Sequence, residues 1–343
     1  MAKTPTVEDV AHAAGVSRQT VSNVLNSPAI VRPATRERVE RAIAELGYRP
    51  HAAARRLRTR RSSTLAVRLD PYSGGVSGVV LDRFVHALTE HASERGLRVL
   101  LYAARTADEE IARVGELLDS GEVDAVVLTG TFHGDPRTAW LTARSASFVS
   151  FGRPWSDDDE DNPAHPWVDV DGAAGTRMAT RRALAQAGPG VAFLGWPAGS
   201  ETGDDRERGW REAMPEGASP IRLTAVDDVA LARSAVAELL RGPEGATLDA
   251  IVCASDTLAI GAHLAAVEAG RASLPIVGFD NTPAAEAMGL SSIEQRPEDV
   301  AAGTLDLLLG TNRARAGGEQ GQGRNAPAHV LVEPRLVARG GLA

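Results

Sequence analysis

The chain has 343 residues, 43% of them hydrophobic, with a single cysteine, so it exceeds one small reader domain, can bury a full core, and cannot form an intramolecular disulfide. No apolar run reaches membrane-spanning length and no leader-type segment precedes the first helix, so a cytoplasmic location is expected. Charge is uneven: residues 1–61 carry 12 basic and 5 acidic side chains, a net of +7, while the remainder carries 25 and 40, a net of −15, a division that suits a polyanion partner at one end only.

Residues 6–26, TVEDVAHAAGVSRQTVSNVLN, spell two short amphipathic helices joined by a tight Gly15-Val16 turn. Thr6 with Asp9 three residues on forms a capping box, and Val10, Ala13 and Ala14 are the expected inward residues. Gly15 can enter the left-handed turn without a Cβ penalty, and Ser17 caps the second helix. Val21, Val24 and Leu25 make that helix's apolar stripe, which turns Arg18, Gln19, Thr20, Ser22, Asn23 and Asn26 toward the outside or its edge. Arg can grip guanine O6 and N7, and Gln or Asn adenine N6 and N7, each pairing worth about 1–3 kcal/mol against a wrong base. A third helix, TRERVERAIAELG, sets Val39, Ile43 and Leu46 on one stripe and ends at Gly47, so three helices enclose a small core over residues 1–49. Residues 50–61 follow, alanine-rich, with five arginines around Leu57.

VEDVAHAAGVSRQTVSNVLN and RPATRERVERAIAELGYRPHAAARRLRTRRS together resemble the headpiece and hinge of the lactose-repressor (LacI/GalR-type) family of bacterial transcription regulators. The resemblance implies a hinge helix over 50–61 that forms on the operator, with Ala54 and Arg55 at the DNA and Leu57 wedged into the minor groove, where an apolar side chain can unstack a base step and kink the duplex. The alternative is a linker leucine packed on the body.

Beyond the hinge, TLAVRLD, VVLDRFVHALTEHASERG, LRVLLYAA, EEIARVGELLDSG, VDAVVLTG and SFVSFG alternate strand and helix and predict a parallel sheet covered by helices. A second such series is expected from WVDVD through GVAFLGW, RERGWREAM, DAIVCASD and PIVGFD. The order resembles the family's two-lobed effector domain, with the periplasmic-binding-protein-like α/β fold, over about Leu65 to Arg339. It implies crossings between lobes near Asp169, Ile293 and Pro327, hence a first lobe of about 62–168 and 294–326 and a second of about 169–293 and 327–343. Residues 311–327, rich in Gly, Arg, Gln and Asn, read as an exposed loop.

In open parallel sheets ligands sit beyond the carboxyl ends of the strands. Asp280, ending IVGF, is the leading candidate: the family places a ligand-binding acid there, and the alternative is a cap for the helix at Pro283. Arg206 matches the family's effector-binding arginine, against a surface salt bridge or the neighbouring Arg208. Ser255 stands where the family usually carries Asn, a departure that suggests a differently shaped ligand, and Gly152 where the lactose repressor has an acid. Tyr72, Phe151, Trp155 and Trp196 fall at or after strand ends and offer faces for a sugar ring, with core packing the competing role; Thr202 and Gln295 are further polar candidates. The eight histidines are scattered, and GxxxxGK[ST], GxGxxG and GxSxG motifs are absent, so no enzyme, metal or cofactor is proposed by the sequence.

These readings predict a homodimeric, sequence-specific repressor of carbohydrate-utilisation genes on a pseudo-palindromic double-stranded operator, released by a sugar effector. The alternatives are co-repression by a purine or a phosphate compound, and a sugar-binding or sugar-modifying protein with an appended headpiece.

Overall fold

The computed structural model describes residues 5–48, 62–69, 78–155, 165–218, 221–316 and 329–340. The chain divides into two compact units, Met1–Ser62 and Ser63–Ala343.

The first unit is helical: α1 Val7–Ala14, α2 Arg18–Asn26, a 3-10 turn Pro28–Ile30, and α3 Pro33–Leu46. Thr6 Oγ1 accepts from the Asp9 amide while the Asp9 carboxylate accepts from the Thr6 amide at 2.8 Å, completing the capping box. Gly15 (φ 60°) ends α1 in the left-handed conformation, which turns the chain into α2. The core is Val10, Ala11, Ala14, Val21, Val24, Val39 and Ala42. It differs from the expected stripes: Ala11 and Ala42 are buried and Ala13 is exposed, and Leu25 and Leu46 are each 36% exposed. The helices are short and cross closely, so small residues fill the contact and the leucines fall at its rim.

The second unit contains two parallel-stranded layers. The first sheet has the order β11-β5-β4-β3-β1-β2, built from β1 Thr64–Leu69, β2 Arg98–Ala103, β3 Ala125–Thr129, β4 Phe148–Phe151, β5 Trp167–Val170 and β11 His329–Val332. Helices α4 Gly78–Glu94, α5 Ala107–Asp119, α6 Pro136–Ala143 and α12 Pro297–Ala316 belong to this lobe. The second sheet has the order β12-β10-β9-β8-β6-β7, from β6 Val191–Gly195, β7 Arg222–Thr224, β8 Ala250–Cys253, β9 Ile276–Phe279, β10 Ser291–Glu294 and β12 Arg335–Val337. Its helices are α7 Gly172–Gln186, α8 Thr202–Ala213, α9 Val229–Arg241, α10 Asp256–Glu268 and α11 Pro283–Ala287. Every pairing is parallel except β10 with β12. Near-continuous apolar strands such as VAFLG and AVVLT are buried on both faces, as parallel sheets require. Cys253 is one of these buried strand residues, and its burial pushes the thiol pKa well up.

The chain passes between lobes at Asp171, between Glu294 and Pro297, and at Glu333–Pro334. The structure differs from the expected layout at three points. WVDV does not open the second lobe but pairs with β4, and HVLV pairs with β5, so the third crossing is not near Pro327 and residues 329–332 are part of the first sheet. The apolar register of a strand does not say which of two similar sheets receives it. Likewise α12 continues to Ala316, so residues 311–316 are helix and not loop.

Candidate DNA-reading helix and inter-lobe cleft

Ser17 anchors the start of α2: its Oγ accepts from the Thr20 amide at 3.1 Å and lies 2.9 Å from Thr20 Oγ1. A capped helix start carries unpaired N–H groups and the positive end of the helix dipole, a ready seat for a phosphate oxygen. Arg18 projects from the first turn, 69% exposed, in an ion pair with Glu8 of α1. Gln19 donates to Asn23 Oδ1 at 3.0 Å one turn on, so the two amides form one exposed edge. Thr20 and Ser22 are half-buried beside them. Thr6 is committed to the α1 cap. The sequence missed Glu8, which holds Arg18 before any duplex arrives; the signal was an acid on the helix face opposite α2. The side chain of Asn26 lies outside the described residues, as do Ala54, Arg55 and Leu57 of the expected hinge and Tyr72.

In the second unit a cleft of about 220 Å³ opens between the lobes. From the first lobe it is lined by Thr129–Thr131 after β3, by Phe151, Gly152 and Trp155 after β4, and by Asp169; from the second by Thr202, Asp205 and Arg206 of α8; and by Gln295 in the crossing. Phe151, Trp155, Thr202, Arg206 and Gln295 are thus brought together. Trp196, Ser255 and Asp280 are not among the residues that line it; Ser255 and Asp280 are buried and Trp196 is half-buried. Ser255 is fully buried as the N-cap of α10, accepting from the Leu258 amide at 3.2 Å and donating to Asp227. Trp196 donates from Nε1 to the same Asp227 at 3.1 Å. Phe151 packs its ring against Phe84 with centroids 4.8 Å apart, so one face belongs to the core.

The arginine at the wall is built into its lobe. Arg206 is 5% exposed; Nη1 donates to Ala254 O at 2.5 Å, and its guanidinium lies 3.7 Å from the Phe279 ring centroid and 5.4 Å from that of Trp196. Its Nε, buried, has no acceptor among the described residues, and neither does the buried Thr129 Oγ1 across the cleft a partner. Asp280 Oδ1 lies 3.8 Å from Arg206 Nη1 and accepts from Gln295 Nε2 at 2.6 Å. Burial dominates the ionisation of this pair. It pushes the Asp280 carboxyl up to about 8, against the pull of Arg206 and with the Asp256 charge adding to the rise. It also lowers Arg206, which Asp280, Asp205 and Asp169 draw back up, and the guanidinium stays charged.

The sequence did not single out the cleft's other charges. Arg153 is buried and donates from Nε to Asp169 at 2.6 Å and from Nη2 to Val170 O at 3.0 Å, with Asp205 of the opposite lobe 3.8 Å from Nη1. Its guanidinium sits 4.9 Å from the centroid of Trp155, and burial raises Asp169 although Arg153 opposes the rise. Gly152 (φ 119°) allows the two first-lobe loops to touch: a Cβ there would come within 2.3 Å of Thr131 Oγ1. Beneath the β3 loop Arg137 is buried between Glu110 and Asp135, 2.6 Å from each, and donates to Thr129 O and Gly130 O at 3.2 and 2.9 Å. That network holds the loop that forms one wall.

Two family models match the chain: bacterial regulatory proteins of the lacI family over residues 6–51, and the periplasmic binding proteins and sugar binding domain of the LacI family over residues 77–309. The HTH-type transcriptional regulator CelR of Thermobifida fusca is 33% identical, over 98% of this chain and 97% of that protein. Among solved structures, a CelR–cellobiose complex superimposes with a TM-score of 0.67 at 28% identity, covering 98% and 99% of the two chains. A Lac repressor dimer bound to operator and an anti-inducer shares the fold, with a TM-score of 0.79 at 23% identity over 99% of both chains. A capped reader helix on a three-helix unit, followed by a two-lobed body with a polar cleft, therefore has its family: the chain belongs to the lacI family of bacterial regulatory proteins and is a DNA-binding transcription regulator, not an enzyme.

Proposed function

We propose that the protein represses carbohydrate-utilisation genes and leaves its operator when a sugar binds in the inter-lobe cleft. The observation that carries this reading is a polar cleft between the lobes, lined by Trp155, in which two lining residues, Arg206 at Nε and Thr129 at Oγ1, each keep a buried polar atom without a partner among the described residues. A buried donor without an acceptor costs about 1–3 kcal/mol, which a hydroxyl-bearing ligand recovers. An aromatic face beside such donors matches a sugar ring, apolar on its faces and polar at its rim. The Arg153 and Arg206 guanidiniums share the site with the carboxyl groups of Asp169 and Asp205, so it offers little surplus positive charge to a phosphate. The CelR–cellobiose complex supports a sugar for this chain as well.

Two copies present Arg18, Gln19 and Asn23 to the half-sites of a pseudo-palindromic operator in the cytoplasm, with Leu57 of each hinge at its centre. Sugar bound to both lobes favours one lobe angle and shifts the population away from the DNA-competent state. The test is thermal unfolding of the pure protein with mono- and disaccharides, sugar phosphates and purines. A neutral sugar at 100 times its Kd is expected to add about 2.7 kcal/mol of stability by mass action. Stabilisation by phosphates or purines alone would replace the sugar reading with co-repression.

A further inference from the structure

Three non-glycine residues with left-handed backbone meet where the second lobe joins the first: Asp280 (φ 113°) and Asn281 (φ 48°) after β9, and Arg296 (φ 56°) in the strap from β10 to α12. Such conformations persist only where surrounding contacts over-determine them. Here the contacts run to the end of β10, two of them to the Glu294 carboxylate. The Asp280 amide donates to Ile293 O at 2.8 Å, the Asn281 amide to Ser292 Oγ at 2.9 Å, and Asn281 Nδ2 to Glu294 Oε2. The other oxygen of Glu294 accepts from the Arg296 amide at 3.4 Å and meets Arg83 Nη1 at 2.9 Å. Glu294 is buried at the end of a second-lobe strand; Arg83 is on α4 of the first lobe, and its Nε and Nη2 also close on Glu298 of α12 at 3.1 and 2.9 Å.

We propose that Arg83 and Glu294 are positioning residues that couple the Asp280–Asn281 turn of the second lobe to helix α4 of the first. Each also has a hydrogen-bond partner in its own lobe, Glu298 for Arg83 and Asn281 for Glu294, so opening the link between them costs Glu294 its cation but not every hydrogen bond. A contact that is either made or broken as the lobes rotate is a two-state element, which transmits motion more sharply than elastic packing does. Helix α4 follows β1, the strand that continues the chain from residues 50–61, so what moves α4 bears on the element nearest in sequence to the DNA-binding end. The route by which ligand enters this coupling rests on the proposed cleft; the coupling itself does not.

Hydrogen exchange of the full-length protein tests it without any ligand. Arg83→Ala is expected to speed exchange of the Asp280 and Asn281 amides about tenfold, with β6 and β8 unchanged and Arg83→Lys restoring most of the protection. No change at 280–281, or an equal rise throughout both lobes, would overturn the proposal. With cellobiose as the probe, wild type is expected to change exchange in both the 280–281 turn and α4, and Glu294→Gln in the turn alone; an undiminished α4 response in Glu294→Gln would also overturn it. If cellobiose alters nothing in wild type, the sugar reading loses that ligand, while the Arg83→Ala result still decides the coupling.

Discussion

Asp280→Asn should make the protein more stable at alkaline pH, and by an amount that depends on pH in a defined way. The Asp280 carboxyl is 4% exposed and is pushed up to about 8 by burial, whereas in the unfolded chain it titrates near the ordinary value of about 3.9. Below about pH 4 both states hold the proton and the group contributes no slope. Between about 4 and 8 the unfolded chain has released its proton and the folded one has not, so folding loses up to about 1.4 kcal/mol per pH unit. Above about 8 both are ionised and the slope ends. Arg206 at 3.8 Å moderates the cost, and relaxation around a buried charge reduces it further, so a loss of about 2–5 kcal/mol across the window is expected. Asparagine keeps an oxygen for the hydrogen bond from Gln295 Nε2 and has no proton to lose. Melting temperatures of wild type and Asp280→Asn, measured by calorimetry from pH 4.5 to 8.5, should diverge steadily in favour of the variant. A difference that is constant across that range, or a variant less stable at pH 8, would refute the assignment of a protonated, burial-controlled Asp280.

Three further outcomes follow from the packing and the charges. Gly209→Ala places a Cβ 2.0 Å from Ala173 O and 2.4 Å from Thr176 Oγ1, forcing α7 and α8 apart, and should cost about 1–3 kcal/mol or more in urea denaturation; a loss under about 0.5 would mean the helices give way freely. Arg137→Ala leaves Asp135 buried without its cation and Glu110 with Arg68 alone, and frees the β3 loop, so about 3–5 kcal/mol should be lost, with Arg137→Lys recovering only part; an unchanged melting temperature would remove that network as the loop's support. Arg18→Ala should lower the slope of log affinity against log salt on non-operator B-DNA by about 0.9, one phosphate contact, whereas Glu8→Gln should tighten binding by releasing the arginine. An unchanged slope in Arg18→Ala would assign that side chain to bases alone.

What the residues disclosed beforehand was mostly local. Thr6 with Asp9, Ser17 and Gly15 act on their own neighbours within a turn, and the apolar strand runs alternate with helices at short range, so caps, elements and fold class were legible. The assignment of WVDV and HVLV to a sheet was not, because a doubly buried strand carries no mark of its partners. At the cleft, position after a strand found Phe151, Trp155, Thr202, Arg206 and Gln295 on the wall. The same rule could not see that Ser255 spends its hydroxyl on a helix cap, or that Asp280 is buried and does not line the cleft. Nor could it find Arg153, Asp169 and Asp205, which are far apart in sequence or unremarkable within it and acquire their meaning only when two lobes meet.

The central claim is that a sugar in the cleft weakens hold on the operator. An operator selected from random duplexes with the pure protein, then titrated with and without the sugar that stabilises the chain most, addresses it directly. The affinity is expected to fall by about 5–150-fold, with the operator lowering sugar affinity by the same factor. An operator affinity that stays constant or rises at saturating sugar would contradict it.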